Sequence, residues 1–544
     1  MAEPVVETAR GDAATHRRDA LLPTPDREST DSGRESLDAF LAGDELLGDH
    51  TAAREFAVVA GETRWWKIYS LHFLFMWNIR TFEYVSIVLV ASAFPHSLTA
   101  ASIRGIVSTL SSILFASSVG SWIDKSNNRT TPLRISIIVN HGAIVLTYVA
   151  WILWPAVADH DSTFARNILF VAILVLDILQ VLSATGNSLS LSRDCIPVLT
   201  DATSPHTLTQ VNAVIARVNL FCKIASPSLL PIIVNAYSRS TWISIIALST
   251  VVVWTAEMYC LSHVSRENPR LTLPKDQDLL LDGALEGEVY GHEAPLISKA
   301  HSLLYEGPAF RLRHFFSIAV WPASITMAFL YLTVLVYSAA LITYLLHSGV
   351  PLSVVTLART SGSLMGFVAT FTTPVVGRYL TGRLPAGSAN GTITRKLSSW
   401  GITGQFLALI PVVFVLWNLS PSAPTESSST TSTASQVSIR TMFTLFGFLS
   451  LSRLFHWTYS LMEQEIEQSE VPASQRSTFS GTGESLRSCF DLAHWTATVV
   501  WSRPEEFKGL AGASFSEATG RYTYVKMNGL QFQGEVDGNL WNRS

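Results

Sequence analysis

The stretch from Thr99 to Trp154 reads TAASIRGIVSTLSSILFASSV, then GSWIDKSNNRTTP, then LRISIIVNHGAIVLTYVAWILW. Two long runs with almost no charge flank a short segment holding Asp124, Lys125 and Arg129. A hydrocarbon core of roughly 30 Å is crossed by about 20 apolar residues in a helix. Each run therefore predicts a membrane-spanning helix, and the charged segment between them predicts a loop at one membrane face. The same rule places further spans at Ile68–Phe94, Asn167–Leu191, Leu208–Ala236 and Thr241–Ser262. Beyond a polar stretch come His314–Leu346, Leu352–Tyr379, Leu397–Leu419, Val437–Met462 and Phe479–Trp501.

Bulk composition agrees with a lipid setting. Hydrophobic residues make up 48% of the 544-residue chain and charged residues 15%, well under the quarter typical of soluble domains. A net charge of -4 gives no reason to expect a nucleic-acid partner. The partner implied is the bilayer. Cys195, Cys222, Cys260 and Cys489 are scattered without a CxxC pair, so no disulfide framework is expected. The expected organisation is a disordered cytosolic tail over 1–60, a six-span bundle over 61–265, a cytosolic linker over 266–313, a five-span bundle over 314–501 and a polar tail over 502–544. Eleven spans fall one short of a six-plus-six plan. The expectation is that the twelfth is missing because the gene model is truncated or mis-spliced. Short loops rich in Lys and Arg lie on the side of the N-terminus, which predicts that it is cytosolic. Trp65 and Trp66 beside Arg64 and Lys67 predict an interfacial anchor for the first span.

Ionisable residues inside a membrane are functional candidates by default, because an unpaired charge there is costly. Arg80 and Glu83 share one face of the first span, where they either serve a site or neutralise each other. Glu484, Arg487, Asp491 and His494 form one polar stripe down the last span. Glu484 and Arg487 suit structural hydrogen bonding, whereas Asp491 and His494 suit a cation or proton site. Carboxylate with imidazole fits borderline divalent ions, and imidazole titrates near neutral pH. Gly120, Asp124 and Lys125 sit in a loop of the kind typical of the major facilitator superfamily, with Asp124 placed to accept from a basic group and lock an inner gate. Arg193 and Asp194 follow the fourth span as an expected ion pair. Asn212, Arg217, Asn219 and Lys223 lie on the fifth, where Pro227 and Pro231 predict a kink or unwinding. Gly362 and Gly366 predict close helix packing. Asp177 and Glu257 have no partner visible in the sequence. No HxxxH or HExxH motif points to a membrane enzyme.

These residues in this order resemble the ferroportin family, also called solute carrier family 40. Gly120-Ser-Trp-Ile-Asp-Lys is similar to that family's Gly-x-Trp-Val-Asp-Lys loop, and Ser192-Arg-Asp-Cys-Ile to its Gln-Arg-Asp-Trp-Ile segment. Asn212 to Arg217, Ala328 to Leu335, and Arg476 to His494 resemble the family's later signatures. The resemblance implies an all-α membrane protein with a major-facilitator-like two-bundle fold. It implies export of ferrous iron from the cytosol by alternating access, with proton exchange and no resident cofactor. A carrier of an organic solute and an inactive truncated product are the alternatives. The family's first metal site falls at Ile79 and Glu83 here, and its second at Ser338, Ala339 and His494. Glu83, His494 and Asp491 are thus the implied metal residues, and Asp124, Lys125, Arg193 and Asp194 the implied gate. Arg80, Asn212, Arg217, Glu484 and Arg487 complete the implied cavity. Hepcidin control relies on the span-seven Cys that is absent here and is not expected. The plasma membrane is the expected location and a vacuolar membrane the alternative.

Overall fold

A computed structural model describes residues 64–94, 99–158, 163–200, 206–275, 307–333, 335, 339–383, 390–419, 438–501 and 507–523. The expected tail over 1–60, most of the linker over 266–313, Ser338 and the end of the chain past 523 lie outside the described residues. Six long helices come first: α1 (Trp65–Ala93), α2 (Thr99–Lys125), α3 (Thr130–Ala158), α4 (Thr163–Leu189), α5 (Leu208–Ala236) and α6 (Arg239–Glu267). Then follow α7 (Pro308–Ser317), α8 (Trp321–Phe329), α9 (Ala339–His347), α10 (Leu352–Thr381), α11 (Asn390–Asn418), α12 (Ile439–Glu470) and α13 (Arg476–Val500). No strand occurs among the described residues. Eight of the helices are long and apolar enough to cross a membrane. Their outward faces carry exposed Leu114, Leu146, Val175, Leu248 and Phe414, the sort of surface that lipid rather than water would cover.

The helices form two bundles within one compact unit. In the first, α1 packs on α5 and α6, α3 on α4 and α6, and α2 on α4. Its interior holds Phe75, Phe82, Ile137, Tyr148 and Trp151, all nearly inaccessible. In the second, α12 packs on α10 and α11, and α8 on α12 and α13. Contacts between bundles run chiefly through α2 against α13 and α5 against α10 and α12. Asp177 and Glu257 find partners inside the first bundle. Arg104 on α2 reaches Asp177 at 2.5 Å, and His141 on α3 lies 3.3 Å from Glu257. Trp65 packs inward against Tyr69 while Trp66 is exposed.

Three expectations need correction. The seventh span is not one helix: the chain leaves helical geometry between α8 and α9. The fifth is not unwound at its prolines, since α5 runs helically through Pro227 and Pro231. The irregularity lies instead after α4, where Ser190–Cys195 forms a π-helical turn. The place of the missing twelfth span is taken by a helix over 507–523. It has too few consecutive apolar residues to be read as a span, because its small and polar residues alternate with the ones that pack. Phe507 stacks on Tyr344, and Phe406 stacks on both Phe515 and Tyr522. Leu510, Ala511 and Ala518 join the same apolar cluster as Leu409, Val412 and Leu449. Inside it Arg521 and Glu517 pair at 2.5 Å, so the charges cancel before they meet the bundle. Phe507→Ala is expected to cost about 3 kcal/mol, the usual penalty for emptying a buried phenyl site. The check is the thermal unfolding midpoint of the purified protein, and an unchanged midpoint would contradict the docked helix.

Candidate substrate path and gate

The two bundles are tied together at the end that carries the α2–α3 loop. Gly120 on α2 and Gly481 on α13 let the backbones touch. A Cβ on Gly120 would lie 2.1 Å from the Ser477 carbonyl oxygen, and one on Gly481 2.6 Å from that of Ala116. Ser117 and Thr482 hydroxyls bond across the same crossing at 2.9 Å. One turn further, the Asp124 carboxylate accepts the backbone N–H of Ser477 at 3.0 Å and of Thr478 at 2.6 Å. Those amides open α13 and have no partner within it, and the helix dipole adds to their attraction for a carboxylate. Asp124 was expected to take a basic side chain. It caps the opposing bundle's helix instead.

Arg193 and Asp194 do not pair with each other, as the sequence led one to expect. The wide π-helical turn sends them to different partners. Arg193 lies 2.7 Å from Glu467 on α12 and donates to the Gln464 carbonyl at 3.1 Å. Asp194 holds Arg129 at 3.2 Å and Lys275 at 2.6 Å. Lys125 is half-buried at the last position of α2, and the cationic role at Asp194 falls to Arg129 and Lys275. Glu467 also accepts from Ser324 and, at 2.8 Å, from Ser480. Asn212 is fully buried on α5 and donates to Gln468 at 2.5 Å, while Gln464 donates back to it at 3.1 Å. Arg217 reaches the Thr370 carbonyl at 3.2 Å and lies over the Phe371 ring at 4.0 Å. Of these bonds, those of Arg193, Asn212 and Arg217 cross between bundles. Bonds to charged groups contribute about 1.5–3 kcal/mol each, so this end is held shut by several such increments.

Toward mid-membrane the contacts between bundles give way to further ionisable groups, among which His494 is buried. Arg80 and Glu83 pair at 2.8 Å, and Arg80 donates to Asn219 on α5, also at 2.8 Å. The Glu83 side chain keeps half its surface accessible. On α13 the polar stripe divides in two. Arg487 pairs with Glu463 at 2.5 Å and with Glu484 at 3.2 Å, the first carboxylate being nearly inaccessible. Asp491 is half-buried within electrostatic reach of His494. His494 Nδ1 lies 3.3 Å from the Leu332 carbonyl, in the non-helical segment between α8 and α9. A carbonyl only accepts, so in the neutral ring this contact puts the proton on Nδ1 and leaves the Nε2 lone pair for a cation. Glu83 and His494 stand on different bundles. Among the described residues, no three His, Cys, Asp or Glu gather in a way that could hold a metal.

Sequence reasoning missed the partners on α12. Glu463, Gln464, Glu467 and Gln468 recur at helical spacing just past the apolar run. That run of acids and amides is the available signal, and it falls just outside the expected span Val437–Met462.

Residues 63–517 match the family model described as Ferroportin1 (FPN1). Solute carrier family 40 member 1 of Arabidopsis thaliana is 24% identical over 477 residues, covering 82% of this chain and 84% of the relative. A crystal structure titled as a bacterial homologue of iron transporter ferroportin in an outward-facing state superposes with a TM-score of 0.68. It is 18% identical, with 85% of this chain and 98% of that one covered. The proton:xylose symporter XylE, of the major facilitator superfamily, gives 0.55 at 13% identity, with 88% and 95% covered. The fold is therefore major-facilitator-like, and the chain belongs to the ferroportin family, a family of membrane transporters rather than enzymes.

Proposed function

We propose that this transporter moves ferrous iron, and other borderline divalent metals, out of the cytosol by alternating access between its two bundles. The N-terminus is assigned to the cytosol by the Lys and Arg of the loops on its side. On that assignment the closed end is cytosolic, and the conformation is the one open to the far side. Glu83 on the first bundle and His494 on the second are each a single anchoring donor. Waters and backbone carbonyls complete the shell, and no resident cofactor is needed. Binding this sparse suits a carrier, which must release what it binds. The observation that carries the reading is the tautomer set at His494 by the Leu332 carbonyl, since it presents a ligand nitrogen beside an interrupted span. Asp491 is the neighbouring group that would hold or take up a proton as metal leaves. The plasma membrane is the proposed location, with a vacuolar membrane equally able to receive metal taken from the cytosol. Regulation by hepcidin is not proposed.

The test is cobalt uptake by proteoliposomes containing the full-length protein. His494→Ala and Glu83→Gln are each expected to slow uptake about tenfold or more, in line with the loss of a metal-site group. Uptake unchanged in both variants would overturn the metal assignment.

A further inference from the structure

The first bundle holds an ionisable pair that the substrate path does not use. His141 on α3 and Glu257 on α6 have no accessible surface, and Nε2 of the ring lies 3.3 Å from a carboxyl oxygen. The Trp254 ring stacks on the imidazole at 5.9 Å, and Phe75 of α1 stands at 6.3 Å. The other ring nitrogen, Nδ1, lies 3.1 Å from the Ile137 carbonyl. A carbonyl only accepts, so that contact puts a proton on Nδ1 and, in the neutral ring, leaves a lone pair on Nε2. Among the described residues neither Glu257 oxygen has another hydrogen-bond partner. A bare carboxylate there would set lone pair against lone pair, with its charge buried and unpaired. The ionisable groups of the surrounding helices do not relieve this. Asp177 on α4 is taken by Arg104, and Arg193 and Asp194 are engaged at the gate. His72 on α1 feels the charge of Arg80, and Cys260, one turn along α6 from Glu257, is itself an acid.

We propose that His141 and Glu257 form a resident proton site, in which Glu257 is a neutral carboxylic acid whose O–H donates to His141 Nε2. One proton satisfies both groups and leaves no net charge. Apolar surroundings favour that arrangement over an ion pair with no further donors to the carboxylate. The bond fastens α3 to α6. On the alternating-access reading both helices travel in one bundle, and the pair has no surface through which to exchange. The proton therefore stays in place through the cycle. The proton site itself does not rest on that reading.

The experiment is infrared difference spectroscopy of the full-length protein, parent minus Glu257→Gln. A protonated-carboxyl band is expected in the difference, and carboxylate bands in its place would overturn the assignment. The amide of Glu257→Gln can donate to Nε2 as the acid does, so this variant is expected to keep the parent's thermal midpoint. His141→Leu strands the acid's O–H and is expected to lower the midpoint by several degrees. Equal damage from the two variants would mean that the fold needs the carboxylate charge, and would overturn the site. A His141→Leu protein as stable as the parent would overturn the fastening of α3 to α6. Cobalt uptake by Glu257→Gln, and its dependence on pH, should match the parent's. Loss of that dependence with the midpoint intact would make the proton a cycling one and overturn its residence. No uptake by the parent itself would refute the metal reading and leave this site to the infrared and thermal results.

Discussion

Gly120→Val is expected to abolish transport by keeping the end that carries the α2–α3 loop from closing. The first added carbon would stand 2.1 Å from the Ser477 carbonyl oxygen, 2.7 Å from its carbon and 3.0 Å from Thr478 Cα. All three are backbone atoms, so no side chain can turn aside and α13 must retreat by more than an ångström. Asp124 sits one turn along the same crossing. Its bonds of 3.0 and 2.6 Å to Ser477 and Thr478 cannot survive that retreat. At about 1.5–3 kcal/mol for each bond to a charged group, their loss alone shifts the balance by roughly 3–6 kcal/mol. A shift of about 5.5 kcal/mol turns a 99:1 population into 1:99. The expected population therefore moves from closed to open at this end. Spin labels on Asn127→Cys and Ser474→Cys, one on each bundle, should report a longer separation in the variant. Asp124→Asn, which keeps the shape and loses the charge, should give a smaller shift in the same direction. Labels that do not move apart in Gly120→Val would contradict the gate.

How much of this was legible in the sequence depended on the range of the interaction. Apolar runs report spans directly, because the lipid requirement is local and additive along a helix. The Gly120–Lys125 loop was legible for the same reason: a glycine and an acid at a helix end act within one turn. Partner choice was not. Asp194 with Lys275 and Arg193 with Glu467 are brought together only by the packing of separate helices. Nothing in the neighbourhood of either residue distinguishes its final partner from several other charges. The break between α8 and α9 was hidden differently. Tyr331–Leu335 contains no proline or glycine, and its apolar composition reads as unbroken helix. The Leu332 carbonyl there is met by His494. Pro227 and Pro231 raised the opposite expectation. They free only the Lys223 and Pro227 carbonyls four residues back, and α5 runs helically through both.

The other large effect is expected from Arg487→Ala, and it falls on stability rather than on transport. Arg487 lies among Glu463 at 2.5 Å and Glu484 at 3.2 Å, and Glu463 has almost no access to solvent. Glu467, one turn along α12, is already committed to Arg193. Removing Arg487 leaves Glu463 as a buried carboxylate without its counter-ion. Breaking a buried pair in this way costs about 3–5 kcal/mol, far more than an exposed pair contributes. A lowered thermal midpoint and poor recovery of folded protein are the expected results. The double variant Arg487→Met/Glu463→Leu should recover most of the loss, because an apolar pair of similar size needs no charge compensation. Recovery of the fold in that variant with cobalt uptake intact would assign this end of the α13 stripe to scaffolding, leaving Asp491 and His494 to the cargo. An Arg487→Ala protein as stable as the parent would mean that Glu463 is not held as a buried carboxylate. The division of the stripe would then have to be drawn elsewhere.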